Sequence, residues 1–238
     1  MKNTDISGDT RIGDIATALP ASMRIFEQYG VDFCCGGDKP LAEALQGTGL
    51  SLENVRAEIE EATAAEPQGS AAHRDLAHAT PEKLIEHILD THHRYLKREL
   101  PDLENHLETV ISVHGDGHPE LHELGRLFSG LKGEIEGHLD REEKETFPAV
   151  RNISEGDGSA MAAILGQMEA LEREHDTVGD ALKNMRGGLT SGYRLPADAC
   201  PTYTAVYKGL GQLEADVHRH VHLENNVLFP ALRRETNA

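Results

Sequence analysis

The sequence predicts an all-α protein: an up-down-up-down four-helix bundle preceded by a small helical domain. Three observations support this prediction. Apolar residues recur at alternating spacings of three and four in four long segments, which is the pattern of packed helices. Connections rich in Gly, Asp and Pro separate these segments. A set of residues in one half of the chain recurs 82 positions later, so two similar helix pairs are expected to build the bundle.

The N-terminal residues 1–62 are predicted to form the small helical domain. Gly30 is expected to end its second helix, and Ser51 is expected to cap its fourth. Residues 63–80 are rich in Ala, Gly, Ser, Pro and charge, so they are predicted to be a linker between this domain and a bundle at 81–238. The predicted helices of the small domain span residues 12–19, 21–29, 40–46 and 51–64.

The bundle is predicted to begin at Thr80-Pro81, with the threonine as N-cap and the proline in the first helical position. Pro101 interrupts the first long helix without a neighbouring glycine, and we interpret it as a kink. Short connections make neighbouring helices antiparallel. Four long helices are expected at about 81–113, 118–147, 159–187 and 199–235.

Six polar residues occupy the apolar stripes of these helices, where an ionised carboxylate is costly unless a cation binds it. They form two triplets related by the offset of 82 residues: His93, His138 and Glu142, then His175, His220 and Glu224. A single His-x-x-x-Glu pair usually marks an exposed helix face. Because the whole set recurs on four inward stripes, the sequence predicts that these six residues bind metal.

Counting donors indicates which metal the set suits. If both glutamates bridge, each of two metal ions receives two histidine nitrogens and two carboxylate oxygens, and an oxo or hydroxo bridge adds a fifth ligand. One coordination position then stays open. Mixed nitrogen and oxygen donors with an open position suit iron or manganese, whereas structural zinc prefers closed sites richer in cysteine. Such a site inside an apolar bundle suits a diatomic ligand such as oxygen or nitric oxide.

Cys34 and Cys35 are followed by two glycines, Gly36 and Gly37, which let backbone approach closely. Adjacent cysteines rarely form a disulfide with each other because the ring is strained. They are therefore candidate transfer thiols that share a metal or exchange with another thiol, or else buried structural residues. Cys200, near the start of the last helix, is expected to be a small buried residue.

Four other histidines are interpreted as structural or exposed. His92 is rotated by about 100° around the helix axis from its neighbour His93, so it is expected at the flank of the bundle. His218 and His222 flank His220 on the opposite helix face, so both are expected to be exposed. His114 lies too far along its helix from His93 to join the same site.

Composition favours a protein of the reducing cytoplasm. Net charge is −18, from 41 acidic and 23 basic residues without a basic cluster, which argues against nucleic acid or an anionic membrane as a partner. The N-terminus lacks an export pattern, and no apolar run approaches the length of a membrane span. Three cysteines, two of them adjacent, do not form a disulfide framework.

Four segments of the chain carry a resemblance to a known family: Tyr29-Gly-Val-Asp32-Phe-Cys34-Cys35-Gly36-Gly37, Leu-Ile-Glu-His-Ile at 84–88, Glu174-His175-Asp176 and His220-Val-His-Leu-Glu224-Asn-Asn-Val-Leu-Phe-Pro230. They resemble the iron-sulfur cluster repair di-iron proteins, which contain a hemerythrin-like domain. The resemblance implies a non-haem di-iron protein, induced by nitrosative or oxidative stress, that helps restore damaged iron-sulfur proteins. It also places the family's six iron ligands on the six residues above. Oxygen-carrying hemerythrins have a longer His-x-x-x-x-Asp step in the last helix, so His220-x-x-x-Glu224 argues against reversible oxygen carriage.

Three hypotheses follow from the sequence. The first is a di-iron repair protein that acts by iron donation, by a nitric oxide reductase-type activity, or by both. The second is a hemerythrin-like protein that senses or stores oxygen or nitric oxide without turnover. The third is a helical bundle that the metal only stabilises. The sequence leaves open which chemistry operates, and whether the chain forms a homodimer.

Overall fold

A computed structural model of the chain describes residues 6–65, 76–153 and 158–235. Within these ranges the regular structure is helical, and one isolated β-bridge pairs Arg11 with Pro40. The described residues fall into two compact units. One contains the residues up to Glu86 together with those from His218 onward, and the other contains His87–Val217. The predicted all-α fold is confirmed.

In the first unit, the short N-terminal helices close over an apolar core that residues 6–62 supply among themselves. Phe26, Phe33 and Ile59 lie at its centre and are almost completely buried. Gly30 ends the second helix at φ +67°, a backbone region that favours glycine. Ser51 Oγ accepts the Asn54 N–H at 3.2 Å, so both predicted helix boundaries are confirmed. The helices are α1 (Ile12–Ala18), α2 (Ala21–Tyr29), α3 (Leu41–Ala44) and α4 (Leu52–Ala65).

Four long helical segments follow, each containing one wider π-helical turn. The predicted start at Thr80-Pro81 is confirmed, since Thr80 Oγ1 accepts the Lys83 N–H at 3.4 Å. Each long segment lies within about five residues of its predicted bounds. The segments are α5 (Pro81–Ile88), a π turn (Leu89–His93) and α6 (Arg94–His114); α7 (Glu120–Arg141), a π turn (Glu142–Thr146) and α8 (Phe147–Asn152); α9 (Gly158–Lys183) and a π turn (Asn184–Leu189); α10 (Pro201–Leu223), a π turn (Glu224–Leu228) and α11 (Phe229–Glu235).

The second unit contains the body of a four-helix bundle. Helix α6 packs against α7, and α7 packs against α9. Arg186 Nη1 lies 3.4 Å from Glu214 Oε1 and joins the end of the third segment to α10. His92 Nδ1 lies 3.0 Å from Asp216 Oδ1 and joins the first segment to α10. Within this unit, parts of all four segments pack in order and the fourth returns to the first, which is the arrangement of the predicted four-helix bundle.

Two prolines lie inside helical segments, one at a predicted helix end and one at a predicted kink. The second segment was expected to stop at 147, but it continues through Pro148 to Asn152. The π turn just before Pro148 starts a new α-helical stretch, whose first positions need no N–H donor, so proline is tolerated there. Helix α6 also continues through Pro101. The kink at Pro101 stays a prediction.

The predicted linker, 63–80, lies in part outside the described residues, which omit 66–75. Its first three residues belong to α4, which ends at Ala65. The domain boundaries predicted from the sequence stay a prediction. Among the described helices, none has the length and hydropathy needed to cross a membrane.

Candidate metal centre

Three of the six predicted ligands lie at the ends of π turns. His93 ends the turn Leu89–His93, while Glu142 and Glu224 each begin one. A π turn holds an extra residue and is frequent at functional sites, because it changes the direction of the side chains around it. The turns beginning at Glu142 and Glu224 are also 82 residues apart, so the sequence repeat extends to the backbone.

The second unit brings four predicted ligands into one buried cluster: His93, His138, Glu142 and His175. The Oε2 atom of Glu142 lies 3.2 Å from His93 Nε2, and its Oε1 atom lies 3.3 Å from His138 Nε2. His175 Nε2 lies 3.1 Å from His138 Nε2. Each oxygen of Glu142 thus faces a different histidine.

Two further carboxylates orient the rings of this cluster. His93 Nδ1 lies 2.8 Å from Glu143 Oε1, and His138 Nδ1 lies 2.9 Å from Glu174 Oε2. Since a carboxylate only accepts, each Nδ1 donates its proton, and the Nε2 electron pair is left facing the cluster. Carboxylate–histidine pairs of this kind orient metal-binding histidines in proteins.

Cations keep these supporting carboxylates ionised. The hydrogen bond from His138, together with that from Arg141, lowers the pKa of Glu174 to about 2 despite the opposing effect of burial. Burial raises the pKa of Glu143, but hydrogen bonds from Lys97 and His93 outweigh it and lower the net pKa. Neither residue was predicted from the sequence. The available signal was an acidic residue adjacent to a predicted ligand, as in Glu142-Glu143 and Glu174-His175.

The first unit contains the remaining two predicted ligands, His220 and Glu224. His220 Nε2 lies 3.2 Å from Glu224 Oε1, and both side chains are buried. The corresponding distance from His138 to Glu142 is 3.3 Å. The two His-x-x-x-Glu pairs therefore share local geometry as well as spacing.

The predicted exposure of His222 is wrong. His222 is completely buried: its Nε2 lies 3.2 Å from Thr17 Oγ1, and its ring centroid lies 5.7 Å from that of Phe33. Burial lowers the pKa of His222 to about 4 and so favours the neutral ring. His218 is half-buried, 6.1 Å from the Phe33 ring. Both histidines are covered because the N-terminal domain packs on the helix face predicted to meet solvent.

Three other residues, which were not predicted to bind metal, make structural contacts. His92 is buried against Asp216, as described above. His114 packs against the Tyr203 ring at 5.3 Å, consistent with its predicted exclusion from the metal cluster. Cys200, predicted to be buried, is half-buried and accepts the Tyr203 N–H at 3.4 Å.

The adjacent cysteines lie on a tight loop after α2, and both are free thiols. Asp32 Oδ1 accepts hydrogen bonds from the Cys34 N–H at 3.2 Å, the Cys35 N–H at 2.9 Å and the Cys34 thiol at 3.3 Å. A hydrogen bond with Cys35, and then burial, raises the pKa of Cys34 well above its usual value. Asn226 Nδ2 donates to the Cys34 carbonyl at 2.9 Å. A Cβ on Gly37 would collide with the Asn226 side chain, so the predicted close backbone approach is confirmed.

Comparison with known proteins agrees with this architecture. Residues 84–232 match the hemerythrin HHE cation binding domain, and residues 8–63 match ScdA_N, a domain of unknown function. The chain is 33% identical to the iron-sulfur cluster repair protein ScdA of Staphylococcus haemolyticus (strain JCSC1435), covering 94% of this chain and 98% of that protein. It is 34% identical to the iron-sulfur cluster repair protein YtfE of Pectobacterium carotovorum subsp. carotovorum (strain PC1), covering 95% and 98%. The chain therefore belongs to the hemerythrin HHE cation-binding family and, over nearly its whole length, to the family of the ScdA and YtfE proteins.

Proposed function

We infer that this chain is a non-haem di-iron protein of the cytoplasm that helps restore iron-sulfur clusters damaged by nitrosative or oxidative stress. The repair role of its relatives ScdA and YtfE supports this function, because the similarity covers both domains. The structural observation that carries the metal chemistry is Glu142, whose two oxygens face the Nε2 atoms of His93 and His138 separately.

The proposed ligand set consists of the six residues predicted from the repeat. Glu142 and Glu224 would hold two iron ions as shared carboxylate ligands, the four histidines would supply nitrogen donors, and an oxo or hydroxo group would offset the remaining positive charge. The buried donor set fits this assignment: imidazole nitrogens are oriented inward by ionised carboxylates, and both bridging candidates are fully buried. Bound iron supplies an open coordination position and a change of oxidation state.

Residues around the cluster orient the histidine rings and shield them from water. Glu143 and Glu174 hold the His93 and His138 rings and keep their Nδ1 protons in place. The Phe147 ring lies 5.8 Å from the His93 ring and excludes water from that side of the cluster. An apolar, buried surround of this kind admits a diatomic molecule more readily than a large substrate.

Transfer is assigned to the thiols of Cys34 and Cys35. Asn226, whose side chain holds the Cys34 carbonyl, lies two residues after Glu224 in the same π turn. The backbone that carries a proposed iron ligand thus also positions the thiol loop. A gas sensor or store that does not exchange metal has no evident need for this connection. The connection between the π turn and the cysteine loop therefore supports repair over storage.

The test is a recovery assay on protein purified without oxygen. Two iron ions per chain and an iron absorption spectrum are expected. Mixing with an iron-sulfur enzyme damaged by nitric oxide should restore that enzyme's activity. His93→Ala and His175→Ala should abolish both iron binding and recovery, whereas His106→Ala, an exposed histidine of α6, should change neither.

The same assay separates the alternatives. Iron transfer predicts that labelled iron from this chain appears in the recovered enzyme. A nitric oxide reductase-type activity predicts consumption of nitric oxide without iron transfer. Nitric oxide binding without either effect would favour a sensor or store, and one tightly held zinc ion per chain would contradict the di-iron assignment.

A further inference from the structure

We propose that Asp32, Cys34 and Cys35 form a second metal site, in which one carboxylate oxygen and two thiolate sulfurs bind a single thiophilic divalent cation. The site lies in the N-terminal domain, apart from the six histidine and glutamate ligands. This proposal deepens the proposed transfer role of the two cysteines. It rests on that role for one point only, which is that the ion carried in the cell is iron.

The three side chains already lie at ligand spacing. Their ligand atoms are all within 4.8 Å of one another, and Cys34 Sγ is 3.3 Å from Asp32 Oδ1. In a tetrahedral site with metal–sulfur bonds of about 2.3 Å and metal–oxygen bonds of about 2.1 Å, sulfur and oxygen are about 3.6 Å apart. Two sulfurs in such a site are about 3.8 Å apart. A cation therefore fits with only small side-chain movements.

Hydrogen bonds to its main chain hold the loop that carries the two cysteines. Asn226 Nδ2 donates to the carbonyls of Phe33 at 3.4 Å and Cys34 at 2.9 Å. The Gly13 N–H donates to the Gly37 carbonyl at 2.8 Å. These contacts fix the loop through its main chain, while Asp32 is exposed and Cys35 is half-buried. A loop ordered in advance loses little conformational entropy when it binds an ion.

Exposure across the three residues indicates an exchangeable site. Cys34 is buried, Cys35 is half-buried and Asp32 is exposed, so the site is closed on one side and open on the other. Structural zinc sites are closed by four protein ligands, whereas three protein ligands leave a fourth position for an incoming one. Binding a divalent cation releases two thiol protons to solvent and leaves two thiolates and one carboxylate around the ion.

Cobalt(II) titration of the iron-loaded, full-length chain without oxygen tests this site. A thiolate-to-cobalt charge-transfer band is specific for sulfur ligands, and none of the six proposed bundle ligands is a cysteine. One cobalt ion per chain is expected to bind with this band in the wild-type protein. Cys200→Ser is the matched control because Cys200 is the third cysteine, and it should keep the band.

Two variants identify the ligands. Cys34→Ser combined with Cys35→Ser should lose the band and one bound cobalt while keeping the bundle iron. Asp32→Asn retains a side-chain oxygen that accepts the Cys34 and Cys35 N–H groups, so it preserves the loop. It loses the charge, and cobalt affinity should fall at least about tenfold.

Absence of the band in the wild-type chain, or its persistence in the double variant, would overturn the proposal. Unchanged cobalt affinity in Asp32→Asn would also overturn it, because the carboxylate would then not be a ligand. The recovery assay on the same variants keeps the two questions apart. A double variant that has lost the cobalt site but restores damaged enzyme normally would contradict the transfer role and leave the metal site standing.

Discussion

The two His-x-x-x-Glu turns have the same local backbone conformation but differ in the residues that come after the glutamate. Glu142 and Glu224 each follow a histidine by four residues at nearly the same distance, and each begins a π turn. The next residue is Glu143 in one turn, where it orients His93. In the other turn Asn226 holds the carbonyl of Cys34. The repeat therefore preserves the histidine and the glutamate, while the later positions have separate tasks.

The chemistry of the two side chains explains this division. A carboxylate only accepts hydrogen bonds, so Glu143 can accept them from both the His93 ring and Lys97. An amide donates and is neutral, so Asn226 can pair with backbone carbonyls at close approach to Gly13 and Gly37. A charge in that position would be costly, because it would be desolvated without a partner of opposite sign.

The largest expected effect is loss of metal when either bridging candidate is removed. Glu142→Ala and Glu224→Ala should each reduce iron by at least one ion per chain, because the remaining histidines lose a shared anionic ligand. Each should also lose iron-linked stabilisation, which is about 2.7 kcal/mol when free iron is 100-fold above its Kd. Elemental analysis and thermal unfolding measure the two effects. Glu145→Ala is the control, because Glu145 is an exposed residue of the π turn that begins at Glu142. Full iron occupancy in Glu224→Ala would show that the two turns are not equivalent.

A smaller loss of affinity is expected when a supporting carboxylate is neutralised. Glu143→Gln and Glu174→Gln should each weaken iron binding by roughly 10–100-fold, because the ring they hold loses its fixed orientation and some basicity. Competition with a chelator measures this affinity. Glu134→Gln, on an exposed face of α7, should leave it unchanged. If Glu143→Gln bound iron as tightly as wild type, the carboxylate–histidine pair would not support the metal.

The sequence could predict the bundle and the buried histidines because their information is local and periodic. His93 and His138 occupy stripes whose spacing marks a packed helix face. The burial of His222 could not be predicted in this way, since it depends on Thr17, 205 residues away in the chain. The π turn at Glu142 was also missed, because a single wider turn leaves composition unchanged and hardly disturbs the apolar pattern.

A third prediction compares Asn226 with Lys144, the residue at the equivalent position of the other turn. Asn226→Ala should destabilise the N-terminal domain by about 1–2 kcal/mol, because buried backbone carbonyls lose a donor. Alkylation of Cys34 should become faster as the loop opens more often. Lys144→Ala removes an exposed pair with Asp140, so it should leave stability almost unchanged.

Urea unfolding and the rate of thiol alkylation measure these effects, with iron content expected to stay unchanged in both variants. Equal alkylation rates in Asn226→Ala and the wild-type chain would show that the amide does not hold the thiol loop. A loss of iron in Asn226→Ala would instead show that the π turn couples the loop to Glu224 more tightly than the comparison implies.

The smallest expected effect is on iron content when the N-terminal domain is removed. A fragment beginning at Thr80 retains the helix cap at its start and all six proposed ligands. The removed domain has an apolar core drawn from residues 6–62, so its loss leaves no gap in the stripes that line the bundle. Removal exposes His222 and the Asn226 amide, which should lower the unfolding temperature of the fragment. Its helical content and its two iron ions should nevertheless remain, as circular dichroism and elemental analysis would measure. A fragment that stays helical but loses iron would require a ligand from residues 1–62. It would then contradict both the proposed six-residue set and the division of the chain at 63–80.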